Sequence, residues 1–376
     1  MNPALPSGVH AKTLDLYDSI LGIIGQEGLV TDAYHYLFGL LPFFEYSSTS
    51  VRESYLKIIR EYFLPSCESL TDVLPALIAA MIPGLEEASD QIDQVLDLMI
   101  MIENKYSSEE YVKAFTFVFV STPPRRSNCI YYLALRQQRK MNCLFHLGIQ
   151  LELQQFFHFS KAGLEDSNLI VTRGTLDYIS TNFLLENADL SKELKVGMIQ
   201  MMLHVLTRKD MSLTRRFYSW LNPAIDEHVA LFKASLLKTM EESLMNLSEC
   251  GHFFKILACI LDNGDLSAKI LPSIIEKIIR SVYSSYELCG SAILLPANQF
   301  FEIVDLYIVW TALIALTEQT SLENNLMILK FSIENLKIYE PGIASLYLKP
   351  LLETLFAEKY VLISRIYFLE PYPRSV

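Results

Sequence analysis

The feature that most constrains the fold is the recurrence of apolar residues at every third or fourth position along most of the chain. That spacing places apolar side chains on one face of an α-helix, so each such segment predicts an amphipathic helix. Clear stripes lie at residues 14–24, 51–63, 111–119, 194–205, 229–240 and 274–282. No run shows the two-residue alternation that half-buried β-strands require. The sequence therefore predicts an all-α protein.

Breaks between the stripes recur every 15 to 25 residues or so, the cadence of helical hairpins stacked into an α-solenoid. We expect residues 1–376 to form a single elongated repeat domain of the HEAT or armadillo kind. A compact globular bundle is the alternative. The segment Asp166–Leu176 is similar to the second helix of a HEAT repeat, in which an acidic residue and an arginine tie neighbouring units together. The short polar loop at residues 186–191 is the plausible internal boundary.

Several residues predict where helices begin and end. Ser50 with Glu53, and Ser107 with Glu110, have the spacing of a capping box. We expect Gly25 to end the first helix, because glycine is a strong helix stop.

The composition excludes some functional classes. Hydrophobic residues make up 51% of the chain. The most membrane-like segment, Leu306–Thr317, is shorter than the roughly 20 apolar residues that a membrane span requires, so it predicts a buried core helix. The formal net charge of −12 argues against nucleic-acid binding, because a binding face must offset phosphate charge. The six cysteines form no Cys-x-x-Cys pair, which indicates free thiols in a reducing compartment.

The sequence also offers no catalytic centre. Phosphate-binding glycine loops, nucleophile elbows and His-Glu-x-x-His are all missing from it, and the seven histidines never pair at metal-ligand spacing. Carboxylates are dense from Glu86 to Asp97, but their spacing covers the outer face of a helix whose inner face is apolar. We therefore expect no enzyme activity, no metal site and no cofactor.

The charge pattern supplies the first candidate binding residues. Residues 111–151 contain no Asp or Glu, although the chain as a whole is acidic, and aromatic residues lie among the basic ones. The candidates in this basic segment are Arg125, Arg126, Arg136, Arg139 and Lys140. They predict contact with an anionic membrane, where each Lys or Arg contributes about 1 kcal/mol. The alternative is that Arg136, Arg139 and Lys140 form ion pairs with the acidic face of an adjacent repeat.

A second basic cluster flanks a short turn. Its members are Arg208, Lys209, Arg215 and Arg216. Such a cluster can bind a phosphoinositide headgroup through bidentate contacts, or it can fix one repeat against the next. We expect Ser212 to be the N-cap of the helix that follows.

Four stretches resemble the N-terminal domain of the Dopey family and occur in the family's order. They are Asn2–His10, Ile82–Glu87, Asp166–Arg173 and Arg208–Leu221. The resemblance covers residues 1–225 well and the remainder only by its helical character. Family members usually carry helices before the first stretch and are far longer, so functions of those other regions are not carried over.

The resemblance implies a non-enzymatic scaffold, peripheral on the cytosolic face of the trans-Golgi network and endosomes. The partners it implies are an Arf-exchange-factor-like Golgi protein, a type IV P-type ATPase lipid flippase, phosphatidylinositol 4-phosphate and kinesin light chain. A cytosolic protein-docking module with no membrane role is the alternative function.

Overall fold

A computed structural model of the protein describes residues 5–66, 70–86, 89–148, 150–244, 246–317, 322–340, 342–343 and 345–354. All regular secondary structure within these ranges is helical, and they contain no strand. The chain divides into two compact units, Met1–Asn187 and Ala188–Val376. The prediction of an all-α fold is therefore confirmed.

The first unit is built from alternating helices in two layers. Its α-helices are α1 Ser7–Leu40, α2 Phe43–Tyr46, α3 Thr49–Ile58, α4 Leu64–Ser66, α5 Leu74–Met81, α6 Ile92–Glu103, α7 Ser108–Ser121, α8 Arg126–Gln138, α9 Gln150–Leu164 and α10 Leu169–Asn182. Helices α5, α7 and α9 pack side by side, and α8 packs beside α10. Because α9 also packs against α10, successive helices form hairpins that stack, as the periodicity predicted.

Three of the predicted helix boundaries lie in the first unit. Ser107 forms its capping box: its hydroxyl accepts the Glu110 backbone N–H at 3.3 Å, and the Glu110 carboxylate accepts the Ser107 N–H at 3.0 Å. The box predicted at Ser50 is wrong, because α3 begins two residues earlier than predicted, at Thr49, and its N-cap is Ser48. Gly25 has a left-handed φ of 68° and interrupts α1 as a kink, with helix on both sides.

A buried carboxylate orders the loop before α9. Glu152 is completely buried, and its carboxylate accepts hydrogen bonds from the Ser108 hydroxyl at 2.7 Å and from the His146 backbone N–H at 2.6 Å. The His146 ring nitrogen lies 3.1 Å from the same carboxylate. This one side chain therefore connects the loop to the start of α7.

The second unit repeats the layered arrangement. Its helices are α11 Lys192–Leu206, α12 Met211–Leu221, α13 Asp226–Leu244, α14 Leu247–Leu261, α15 Gly264–Cys289, α16 Leu294–Phe301, α17 Leu306–Thr317 and α18 Leu322–Asn335. Helices α11, α13, α15 and α17 pack in sequence, and α14 packs beside α16. Helix α17 has the predicted bounds and buries Val309 and Leu313, although Tyr307 is 48% exposed. None of the helices described is both long enough and apolar enough to cross a membrane.

Candidate functional site

The basic segment contains a buried ion pair. Arg136 on α8 is 5% exposed, and its guanidinium pairs with the carboxylate of Glu103 at the end of α6. The same guanidinium donates to the Tyr132 hydroxyl at 3.1 Å, which lies 2.9 Å from the Tyr111 hydroxyl. This network connects α6, α7 and α8 beneath the surface. Arg136 is therefore inaccessible to a membrane or a partner protein.

The network contains one ion pair, between Arg136 and Glu103, and two neutral tyrosine hydroxyls. Burial alone would lower the pKa of the Arg136 guanidinium, but Tyr132 and Glu103 outweigh it and hold that pKa above its ordinary value. Burial is also the main reason that the pKa of Tyr132 rises to about 12. The phenols stay protonated at neutral pH, so neither hydroxyl is ready for acid–base chemistry.

Two further arginines of the basic segment also reach other hairpins. The Arg125 guanidinium pairs with Glu45 at 2.6 Å. The Arg126 guanidinium pairs with the buried carboxylate of Asp166 at 2.7 Å. Asp166, the acidic residue of the HEAT-like segment, thus ties its hairpin to a neighbouring one. Both arginines hold separate parts of the first unit together.

The remaining two candidates of this segment lie at the end of α8. Arg139 pairs with Asp93 at 2.8 Å and also with Asp97, both on the exposed face of α6. Lys140 is exposed, has a left-handed φ of 55° and forms no ion pair with a described residue. Arg136 and Arg139 thus form ion pairs as the alternative predicts, whereas Lys140, its third residue, forms none with a described residue.

The second basic cluster lies at the start of α12. Asp210, not Ser212, is the N-cap: the Asp210 carboxylate accepts the Leu213 backbone N–H at 2.9 Å. Ser212 lies inside the first turn, where its hydroxyl accepts a hydrogen bond from the Arg216 guanidinium. The prediction for Ser212 is therefore wrong, because the helix starts one residue before it.

The cations of this cluster differ in their surroundings. Arg208 and Arg216 both interact with other groups of the protein. Lys209 and Arg215 are exposed and form no ion pair with any residue that the structure describes. They line a groove of about 680 Å³ together with Asp262 and Asp265. The groove thus offers two cations and two carboxylates.

The structure brings together two histidines that the sequence left apart. The rings of His204 on α11 and His252 on α14 stack with their centroids 4.4 Å apart. No group of three or more His, Cys, Asp or Glu side chains could hold a metal ion in the part of the chain described.

A larger groove was missed from the sequence. It has a volume of about 1430 Å³ and lies along α5, α7 and α9. Phe117 on α7 projects into it and is 60% exposed, whereas Phe115 and Phe119 are buried. A signal was present, because Phe117 falls out of phase with the apolar stripe at residues 111, 115, 118 and 119.

Two family models match the chain. Residues 1–226 match the model described as Dopey, N-terminal, and residues 230–357 match the one described as DOP1 middle TPR domain. The chain belongs to the Dopey family. The resemblance predicted from the four stretches is confirmed, and the second model extends it beyond residue 225. For residues 230–357 that model describes a TPR domain, which is also built of stacked helical hairpins.

Known relatives of this Dopey-family chain come from several animals. Protein DOP1 homolog of Drosophila melanogaster is 25% identical over 358 residues, covering 87% of this chain and 14% of that protein. Protein DOP1B of Mus musculus is 26% identical over 344 residues, covering 80% and 15%. Protein DOP1B of Xenopus laevis is 30% identical over 274 residues, covering 68% and 11%. The chain thus spans about one seventh of the length of the first two relatives. No solved structure matches it.

Proposed function

We propose that this chain is a non-enzymatic scaffold in protein and membrane traffic between endosomes and the late Golgi. The observation that carries the proposal is the match to Dopey family models over residues 1–226 and 230–357. The layered helical hairpins support it, because stacked repeats offer extended surfaces for protein partners.

The partners proposed are an Arf-exchange-factor-like Golgi protein, a type IV P-type ATPase lipid flippase and kinesin light chain. Protein docking has more support than lipid binding in the first unit, because Arg125, Arg126, Arg136 and Arg139 are neutralised by acidic residues of the chain itself. Arginines so engaged are not available to lipid phosphates without breaking those ion pairs.

A second candidate function is contact with membranes that contain phosphatidylinositol 4-phosphate. It is favoured by Lys209 and Arg215, which are exposed, unpaired with the residues described and placed in one groove. Asp262 and Asp265 line the same groove and oppose an anionic surface. We therefore expect lipid binding to assist recruitment rather than to suffice for it.

The scaffold function is tested in cells with the full chain fused to a proximity-labelling enzyme. We expect enrichment at trans-Golgi and endosomal markers, and labelling of the Arf-exchange-factor-like protein and the flippase above the level given by the enzyme alone. A diffuse distribution with neither partner labelled would favour the cytosolic docking module instead.

A further inference from the structure

The groove along α5, α7 and α9 contains an aromatic ring that the fold does not use. Among the residues of the first unit whose side-chain burial the structure gives, Phe117 is the only phenylalanine, tyrosine or tryptophan that is more than half exposed. Aromatic side chains that fill concave, desolvated positions contribute a large share of binding energy at protein interfaces. An exposed ring in a groove of this size therefore indicates a docking position.

The dimensions of the groove suit a short helix. A helix about 10 Å in diameter that rises 1.5 Å per residue occupies roughly 120 Å³ per residue. The groove volume of about 1430 Å³ thus corresponds to about 12 residues. Its lining follows α7 from Glu110 to Ser121, which spans about 17 Å at the same rise. Ala76 and Ala79 on α5 also line it, and small side chains allow a close approach of another backbone.

The packing of α7 on α9 places basic groups beside the ring. The rings of Phe119 and Phe159 lie with their centroids 4.5 Å apart, which sets the register of the two helices. The Ser108 hydroxyl also bonds to Glu152, so the two helices run in the same direction, and Phe117 on α7 lies level with residues 157–161 of α9, which include His158 and Lys161. Both side chains line the groove and are exposed.

The charges along the groove are unevenly distributed. Lys113 lies one helical turn before the exposed ring, and neither it nor Lys161 forms an ion pair with a described residue. The acidic residues lie towards the ends: Asp72 precedes α5, and Glu165 follows α9. The Glu110 carboxylate also lies towards one end, at the start of α7, where it forms the capping box. The centre of the groove is therefore positive.

We propose that this groove binds one amphipathic helix of a partner protein. The apolar stripe of that helix covers Phe117, and acidic residues in its central turn face Lys113 and Lys161. A second copy of the chain fits less well, because two molecules of net charge −12 repel each other. A bilayer fits less well because the site is concave. The inference rests on the proposed scaffold function and assigns it a surface.

The test uses the purified full chain and three synthetic peptides of about 12 residues, each stapled into a helix. The first peptide has a leucine stripe flanked by glutamates. The second has lysine in place of every glutamate, and the third has glutamine in place of every leucine. We expect fluorescence anisotropy to show the first binding at least about tenfold more tightly than either of the others.

Matched variants locate the binding. Phe117→Ala is expected to weaken binding of the acidic peptide about tenfold. The control is Ile170→Ala, which should leave the affinity for that peptide unchanged, because Ile170 is 66% exposed on α10 and does not line the groove. Lys113→Glu combined with Lys161→Glu is expected to reverse the preference between the acidic and the basic peptide. Lys140→Glu, an exposed lysine outside the groove, is the charge control. Far-UV circular dichroism verifies that every variant is folded.

Several results would overturn the proposal. They are equal affinity for the acidic and basic peptides, an equal response to Phe117→Ala and Ile170→Ala, and no binding of any peptide. Self-association abolished by Phe117→Ala would make a second copy the occupant, and vesicle binding abolished by it would make the occupant a membrane. Because only purified components are used, diffuse localisation in cells with intact peptide binding would count against the scaffold function alone.

Discussion

The buried ion pair between Arg136 and Glu103 should be far more important for stability than its exposed neighbour. Arg136→Ala leaves the Glu103 carboxylate, which is 22% exposed, without its partner, and it removes the donor to the Tyr132 hydroxyl. Removing one member of a buried pair costs about 3–5 kcal/mol, because the other charge remains desolvated. Since Glu103 retains some access to water, we expect about 3 kcal/mol.

The matched control is Arg139→Ala, three residues later. Arg139 is 35% exposed, and its partners Asp93 and Asp97 are 83% and 52% exposed. Pairs this exposed are worth about 0–1 kcal/mol each and are screened by salt. We therefore expect Arg139→Ala to cost about 1 kcal/mol at low ionic strength and less at high salt.

Urea denaturation separates the two units without dissecting the chain. Both tryptophans, Trp220 and Trp310, belong to the second unit, so their fluorescence follows that unit, whereas far-UV circular dichroism follows both. For Arg136→Ala we expect the dichroism transition of the first unit to move down by about 1.5 M urea, taking a slope of about 2 kcal/mol per M. The tryptophan transition should keep its midpoint.

A loss for Arg136→Ala no larger than that for Arg139→Ala would refute this reasoning, whereas a parallel shift of the tryptophan transition would show that the two units unfold together. A double-mutant cycle with Glu103→Gln adds a direct measure. The double variant should lose clearly less than the sum of the single losses, because the two side chains share one interaction.

Three further predictions concern other parts of the chain. Ser107→Ala should cost about 1 kcal/mol through loss of the N-cap. Hydrogen bonds from Ser107 lower the pKa of Glu110, so their contribution to stability is present above the ordinary value of 4.5 and is lost as the pH falls through the lowered pKa. In thermal unfolding, the difference in stability between the variant and the unmodified chain should therefore narrow in acid. Glu152→Ala should destabilise the first unit by about 2–3 kcal/mol in urea, since it removes the buried carboxylate that accepts from the Ser108 hydroxyl and the His146 N–H, and Glu152→Gln by less; equal losses would contradict that account. Arg215→Ala should reduce co-sedimentation with vesicles containing phosphatidylinositol 4-phosphate several-fold, because each cation near such a surface contributes about 1 kcal/mol. Undiminished co-sedimentation would show that the groove at Lys209 does not bind lipid.

The sequence predicted helix faces well because each depends on local spacing alone. Helix α17 has its predicted bounds, and the capping box at Ser107 formed as expected. The error at Ser50 is a shift within one turn: the serine at Ser48, with extended backbone angles, takes the N-cap position instead. Local sequence rules thus predict that a helix starts here, but they do not determine which of the neighbouring serines is its N-cap.

The partners of the basic residues could not be predicted, because they depend on how hairpins stack. Arg125 and Glu45 are 80 positions apart in the chain, and nothing in either neighbourhood indicates the pair. The charge pattern of residues 111–151 therefore left two alternatives, a membrane-facing surface and ion pairs with an adjacent repeat, and the structure has mostly ion pairs within the chain. The position of Phe117 could have been read from helical phase, but the groove around it required the register of α7 on α9.

The ion pairs of Arg125, Arg126 and Arg136 also have a mechanical consequence. Each joins segments that are distant along the chain, so a force applied to one hairpin is transmitted to others before the backbone extends. A scaffold that connects moving membranes or motors would experience such forces. Because of these ion pairs, we expect the first unit to unfold under tension in one cooperative event, whereas loosely joined repeats would unfold one after another.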